Sequence, residues 1–312
     1  MELRSIGKSG LRVSAVGLGC NNLGRALDLE SARKLVHRAL DLGVTLFDTA
    51  DIYGNQGGSE EQLGEILGPR RKDIVLATKF GMPMSDTKKG ASRAYIFEAV
   101  EASLKRLKTD WIDLYQLHQP DPATPIEDTL TALNDLIRAG KVRHIGCSNL
   151  NAAQVGEAAA VAREKKLTPF ISAQDEYSLL VRDVEAALIP TLESEGMGLL
   201  PYFPLASGML TGKYTHGGEL PAGTRMSAIK RFQDRYMTET NWAIVDKLSA
   251  FCKARNHTLL ELAFSWLLSK PVLSSVIAGA TKPEQIEANV NAAGWKLSAE
   301  DIAEVAAITK KS

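Results

Sequence analysis

The sequence predicts an α/β fold, a (β/α)8 TIM barrel with an N-terminal hairpin and extra helices, forming a single domain over residues 1–312. Eight short apolar runs, rich in β-branched residues, begin at 16, 45, 74, 111, 142, 170, 198 and 272. They show little polar alternation, as parallel strands covered on both faces should. Their starts are 29, 29, 37, 31, 28, 28 and 74 residues apart, and a step of about 30 residues is one strand plus one crossover helix. The rival, a doubly wound open sheet with a second domain, is disfavoured by the even spacing and by the lack of any composition break. The length also suits one barrel, which needs about 250 residues.

Each element follows from local pattern. Residues 2–15 read as a hairpin that turns at Lys8-Ser9-Gly10 and plugs the bottom of the barrel. Strands are expected at 16–20, 45–50, 74–80, 111–118, 142–149, 170–177, 198–205 and 272–279. A helix over 29–42 puts Leu35, Val36, Ala39 and Leu40 on one face. A helix over 59–67 opens with Ser59 and Gln62 at capping-box spacing. Thr124-Pro125-Ile126-Glu127 supplies an N-cap, a proline at the first helical position and a glutamate at N3. The long last step holds a Gly/Pro-rich loop at 211–225, expected over the active face, then helices near 241–255 and 259–269. An amphipathic helix at 298–309 completes the pattern.

Composition narrows the function. Lys+Arg and Asp+Glu are both 37, a net charge of zero, so no nucleic-acid or anionic-membrane footprint is expected. Cys20, Cys147 and Cys252 are odd in number and far apart, which excludes a disulfide scaffold. No apolar run is long enough for a signal peptide or a membrane span, and the expected location is cytoplasmic. No metal-ligand cluster is read from the sequence.

In a barrel of this type the active site lies at the C-terminal ends of the strands. There stand Asp48, Tyr53, Lys79 and His118, an acid, a phenol, an ammonium and an imidazole on successive strand ends. Each alone has an ordinary reading: a helix cap, a loop anchor, a solvated strand end, a core histidine. Together they are harder to dismiss. A lysine closing an apolar strand is costly to bury unless a carboxylate pairs with it, and Asp48 on the neighbouring strand is placed to do so.

The segment GVTLFDTADIYGNQGGSEEQLGEIL resembles the aldo-keto reductase signature: a strand ending in Asp, a Tyr five residues on, and Ser-Glu opening the next helix. The resemblance runs from Leu3 to about Asn289. It implies a catalytic tetrad at Asp48, Tyr53, Lys79 and His118, with hydride transfer from a nicotinamide to a carbonyl carbon and Tyr53 as general acid/base. Lys79 is expected to lower the tyrosine pKa, Asp48 to hold Lys79, and His118 to orient the carbonyl and donate a hydrogen bond.

Two other nucleotide sites are excluded by the residues themselves. Gly17 and Gly19 follow the first strand, but Asn22 takes the third place of a dinucleotide fingerprint. The run 208–213 is one residue short of a phosphate-binding P-loop. The resemblance implies a different cofactor site instead. Cys20, Asn21 and Asp48 line it, Ser148, Asn149 and Gln174 hold the nicotinamide carboxamide, and Tyr202 stacks on the ring. Phe203, Pro204, Leu205, Ala206, Gly208, Lys213 and Arg225 fold over the diphosphate. Gly279, Thr281, Gln285 and Asn289 take the adenosine end, and the helix start at Pro283 offers free N–H groups to a phosphate. One branch of the family carries Lys and Arg where this chain has Gly279 and Gln285. The Gly/Thr/Gln form still occurs in NADP-binding members, so NADP is the expected cofactor and NAD the alternative.

The expected partner is a small carbonyl or alcohol substrate, with selectivity set by residues 119–124 and the loop after the seventh strand. Oligomeric state is not readable. The alternative function is an NADP(H)-binding sensor or auxiliary subunit resembling potassium-channel β subunits. Against it, the hairpin begins at residue 2, which leaves no long inactivating extension.

Overall fold

The computed structural model describes residues 1–310. Two short strands, β1 (Leu3–Ser5) and β2 (Arg12–Ser14), pair antiparallel with Leu3 opposite Ser14. Eight parallel strands then alternate with helices. The first half runs β3 (Val16–Gly19), α1 (Leu29–Asp41), β4 (Leu46–Asp48), α2 (Tyr53–Leu67), β5 (Val75–Phe80), α3 (Arg93–Leu107), β6 (Ile112–Leu117) and α4 (Ile126–Arg138). The second runs β7 (Val142–Ser148), α5 (Ala152–Lys165), β8 (Ser172–Glu176), α6 (Leu188–Glu195) and β9 (Gly198–Tyr202). After β9 come α7 (Arg225–Ala228), α8 (Lys230–Tyr236), α9 (Glu239–Ala254), α10 (Leu259–Leu268), β10 (Val276–Gly279), α11 (Pro283–Asn291) and α12 (Ala299–Ile308). Among the described residues no helix is long and apolar enough to cross a membrane.

The strand order is β10-β3-β4-β5-β6-β7-β8-β9, all parallel. The ring closes outside β10: Leu199 N–H donates to Val272 O at 2.8 Å, and Ser274 N–H donates to Leu199 O at 3.0 Å. The predicted strand at 272–279 is therefore split, its first part closing the barrel and its second pairing with β3. Inside the lower barrel, Leu46, Val75, Ala77, Leu114, Leu200 and Ile277 pack with Ile6 and Val13 of the hairpin, which forms the expected plug. The hairpin is seated tightly. A Cβ on Gly7 (φ +51°) would lie 2.3 Å from Gly196 O, so only glycine fits there.

Helix starts follow their caps in most places. Asp28 accepts from Ser31 N–H ahead of α1, and full capping boxes open α5, α10 and α12. Two expected caps are different. Ser59 does not cap a helix: its Oγ donates to Cys20 O and shares a hydrogen bond with Thr49 Oγ1, each at 2.8 Å. Gln62 instead pins the β3–α1 loop, accepting from Gly24 N–H and donating to Leu27 O. Thr124 donates to Asp121 rather than capping α4, which starts behind Pro125 with no side-chain cap. In both cases a tertiary partner outcompetes the local bond. The helices α7 and α8, inside the long step, lack a strong sequence signal and were not expected.

Candidate active site

The strand ends bring Asp48, Lys79, His118 and Tyr53 to one rim of the barrel. β4 and β5 pair in parallel register with Asp48 beside Ala77, so Asp48 and Lys79, two residues further up β5, both point inward. Lys79 is fully buried, 0% exposed, and donates to Asp48 Oδ2 at 2.7 Å and to Thr49 O at 2.9 Å. Burial alone would push this ammonium down, but Asp48 and Tyr53 outweigh it and hold it above the ordinary lysine value. Its positive charge is therefore fixed at neutral pH.

The other oxygen of Asp48 is held by two amides. Gln174 donates at 2.9 Å and Gln116 at 3.2 Å to Oδ1. Gln116 escaped the sequence reading. Its signal was there: it stands two residues before His118 on β6, on the same inward face.

Tyr53 lies at the start of α2, where residues 54–57 leave the helical region with φ between +60° and +117°. That turn folds the tyrosine back over the rim. The Lys79 Nζ lies 5.0 Å from its ring centroid, and its ring meets His118 edge-on at 5.8 Å. Burial pushes the phenol above its ordinary value. Lys79 pulls against that shift and Asp48 adds to it. Lys79 thus pulls the tyrosine down as expected, while the desolvation of a phenolate pushes it up by more. Burial, reinforced by the charge on Lys79, pushes the His118 imidazolium down to about 3, so the ring is neutral. Its Nδ1 is buried and without a hydrogen-bond partner among the described residues. Burial and Asp48 also push the Cys20 thiol up, so Cys20 stays protonated.

The expected carboxamide residues are adjacent and tied to one another. Ser148 Oγ donates to Gln174 O at 2.7 Å. Asn149, in a left-handed conformation (φ +61°), donates to His118 O at 2.9 Å and accepts from the Tyr202 hydroxyl at 2.8 Å. Past β9 the loop is contorted: Phe203, Ala206 and Ser207 all have φ between +45° and +54°. Such conformations cost roughly 1–3 kcal/mol each and persist where the surroundings impose them. Pro204, Leu205 and Gly208 lie in this loop, and a Cβ on Gly208 would press on Lys213 at 2.9 Å.

The loop fits an anionic, diphosphate-bearing group on its own evidence. Ser207 Oγ is buried without a partner. Lys213 stacks on Tyr214 at 5.0 Å, and Arg225 lies over Phe203 at 5.4 Å. Among the described residues no carboxylate forms an ion pair with either cation. Burial and the nearby Arg25 charge lower the Arg225 pKa, so this region is short of negative charge. At the far end Gly279 is exposed beside Asn21, and Asn289 is buried. Ahead of α11, the N–H of Thr281 donates to Gln285 Oε1 at 2.7 Å.

Comparison with known proteins agrees with this geometry. Residues 15–310 match the Aldo/keto reductase family. The chain is 39% identical over 300 residues to the "Probable voltage-gated potassium channel subunit beta" of Oryza sativa subsp. japonica, covering 94% of this chain and 91% of that protein. It is 35% identical to the "L-glyceraldehyde 3-phosphate reductase" of Escherichia coli (strain K12), covering 94% and 87%. It is 36% identical to "Aldo-keto reductase YhdN" of Bacillus subtilis (strain 168), covering 96% and 91%. Eight parallel strands, an inward Asp–Lys pair beneath a tyrosine, and a match over nearly the whole length lead to one assignment: the chain belongs to the aldo/keto reductase family, as an oxidoreductase acting on carbonyl groups.

Proposed function

We propose that the protein transfers hydride between NADP(H) and an aldehyde, ketone or alcohol, with Tyr53 as general acid/base. The observation that carries this reading is the buried Lys79 ammonium, fixed by Asp48 at 2.7 Å and facing the Tyr53 ring at 5.0 Å. A charge this deep is expensive, and here it faces the phenol whose anion it would stabilise.

The nicotinamide, when bound, supplies hydride to the carbonyl carbon. Tyr53 is protonated at rest, so its hydroxyl can pass a proton to the carbonyl oxygen, leaving a phenolate beside Lys79. His118, neutral, would donate a ring N–H to that oxygen and stabilise the charge growing there without adding a competing cation. Ser148, Asn149 and Gln174 would orient the carboxamide, and Tyr202 would stack on the ring. Cys20, Asn21 and the loop 203–208, with Lys213 and Arg225, hold the diphosphate side, while Gly279, Thr281, Gln285 and Asn289 line the adenosine side. The two unpaired cations suit the diphosphate, which NADP and NAD share; the preference for NADP rests on the Gly279/Thr281/Gln285 pattern at the adenosine end.

The E. coli relative's name makes a phosphorylated three-carbon aldehyde the first substrate to include in a panel. The test is single-turnover oxidation of bound NADPH by short, aromatic and phosphorylated aldehydes, on wild type and Tyr53→Phe. Oxidation by wild type, lost in the variant, is the expected result. A second reading, an NADP(H)-binding auxiliary subunit, rests on the similarity to the potassium channel subunit. Tight NADPH binding with no oxidation by any aldehyde would favour it and overturn the first.

A further inference from the structure

We propose that Asp51 is a positioning residue for Tyr53: a buried, unpartnered carboxyl behind the tetrad whose ionisation would unseat the tyrosine. This rests on the role given to Tyr53 above. Asp51 is 1% exposed, and both of its carboxyl oxygens are buried without a hydrogen-bond partner among the described residues. It stands between Asp48 and Tyr53 in a segment stitched along β5. Thr49 N–H donates to Ala77 O at 2.8 Å, Asp51 N–H to Lys79 O at 3.1 Å, and Tyr53 N–H to Ala50 O at 3.1 Å.

The groups that face Asp51 come from every neighbouring element: Glu60 from α2, Arg106 and Tyr95 from α3, Tyr115 from β6 and Lys79 from β5. Their charges are already matched. Glu60, fully buried, accepts from Arg106 Nε at 2.8 Å and from Thr78 Oγ1 at 2.5 Å. Lys79 is paired with Asp48. A third carboxylate has no cation left to claim, and the Tyr115 hydroxyl beside it is itself unpartnered. Burial, then the charge of Glu60, accordingly push Asp51 up to about 7.

An ionised Asp51 would have to draw on Arg106 or on Lys79. Either move reaches Tyr53. The Arg106 side chain runs directly under the left-handed turn at 54–57, where a Cβ on Gly57 would lie 2.6 Å from Arg106 Cδ. Pulling Arg106 from Glu60 removes the floor of that turn. Pulling on Lys79 competes with Asp48 for the ammonium that faces the phenol.

The experiment compares wild type with Asp51→Asn, a permanently uncharged mimic, and Asp51→Ala. With saturating NADPH, wild-type kcat for carbonyl reduction is expected to fall above pH 7, toward about 30-fold at pH 8.5 if Asp51 alone governs it. Asp51→Asn and Asp51→Ala, neither of which can ionise, should both stay level over that range with KM and NADPH affinity unchanged. A readout independent of turnover is the Tyr53 amide resonance in 15N-tyrosine-labelled protein, identified by its absence in Tyr53→Phe. It should shift with a midpoint near pH 7 in wild type and stay fixed in Asp51→Asn. A resonance fixed in wild type, or moving equally in both proteins, overturns the proposal; the latter would point to Asp175, which burial also pushes up to about 7. Absence of carbonyl reduction in wild type would reject the role of Tyr53 and leave the resonance test standing.

Discussion

Asp48→Asn asks whether the buried ion pair acts as one unit. Lys79 is 0% and Asp48 3% exposed, and their charged atoms are 2.7 Å apart. Removing one partner of a buried pair costs roughly 3–5 kcal/mol. An independent bound comes from the escape open to the stranded lysine, which is to lose its proton. Neutralising a lysine with a reference pKa of about 10.4 at pH 7 costs about 4.6 kcal/mol. The two figures agree, so a loss of about 4 kcal/mol is expected at pH 7. At about 2.1 cal/mol/K of unfolding entropy per residue, a chain of 312 residues should melt about 6 °C lower.

The pH dependence gives the sharper signature. In wild type Lys79 is held above its ordinary value. Its stabilisation is therefore complete below the unfolded pKa and is lost only as pH rises through the higher folded value, well above neutrality. In the variant the sign reverses. The folded lysine binds its proton less tightly than the unfolded one, so stability rises with pH by about 1.4 kcal/mol per unit. The deficit should shrink to about 1 kcal/mol by pH 9. Calorimetric melts at pH 7, 8 and 9 on both proteins measure it. A deficit below about 2 °C at pH 7, or one that does not change with pH, would refute the pairing argument.

Three further outcomes are expected. Tyr53→Phe should keep the fold and the cofactor affinity but lower turnover at least about 100-fold, measured by steady-state reduction of the best aldehyde in the panel. NADPH at 100 times its Kd should raise stability by about 2.7 kcal/mol, and more than NADH at the same concentration; Arg225→Leu should shrink the shift given by both nucleotides, as read by paired thermal shifts. Gly24→Ala should destabilise the protein by more than the roughly 1 kcal/mol of a simple left-handed penalty. The site has φ +69° and its Cβ would lie 2.4 Å from the Gly58 carbonyl carbon, and urea melts against wild type will show it.

The fold was legible because the barrel repeats one unit. Each buried strand announces itself as an apolar run, and the even spacing fixes the topology. The Asp48–Lys79 pairing at the rim was legible for a related reason: a lysine ending an apolar strand is anomalous unless paired. What escaped was decided by tertiary competition. Ser59 has the spacing of a cap but lies where Cys20 O and Thr49 can reach it. Thr124 looks like a cap but meets Asp121. Gln116 is an unremarkable strand residue until the barrel closes and brings Asp48 Oδ1 within 3.2 Å.

The charge states at the rim were the least legible, since they depend on burial that no local pattern carries. Charge counting alone puts Lys79 beside Tyr53 and lowers the tyrosine; the folded site keeps that pull and adds a larger upward push from desolvation. The same burial leaves His118 neutral. On the reading proposed above, the two charge states point one way. A protonated phenol and a neutral imidazole are both uncharged donors, so neither repels the other across the 5.8 Å between their rings, and both are ready to meet a carbonyl oxygen that gains negative charge. The fixed charge of Lys79 then acts after the proton has moved, on the phenolate left behind. A cation that did its work earlier would waste it on a neutral phenol, so placing the lysine under a tyrosine of raised pKa confines its stabilisation to the step where charge develops.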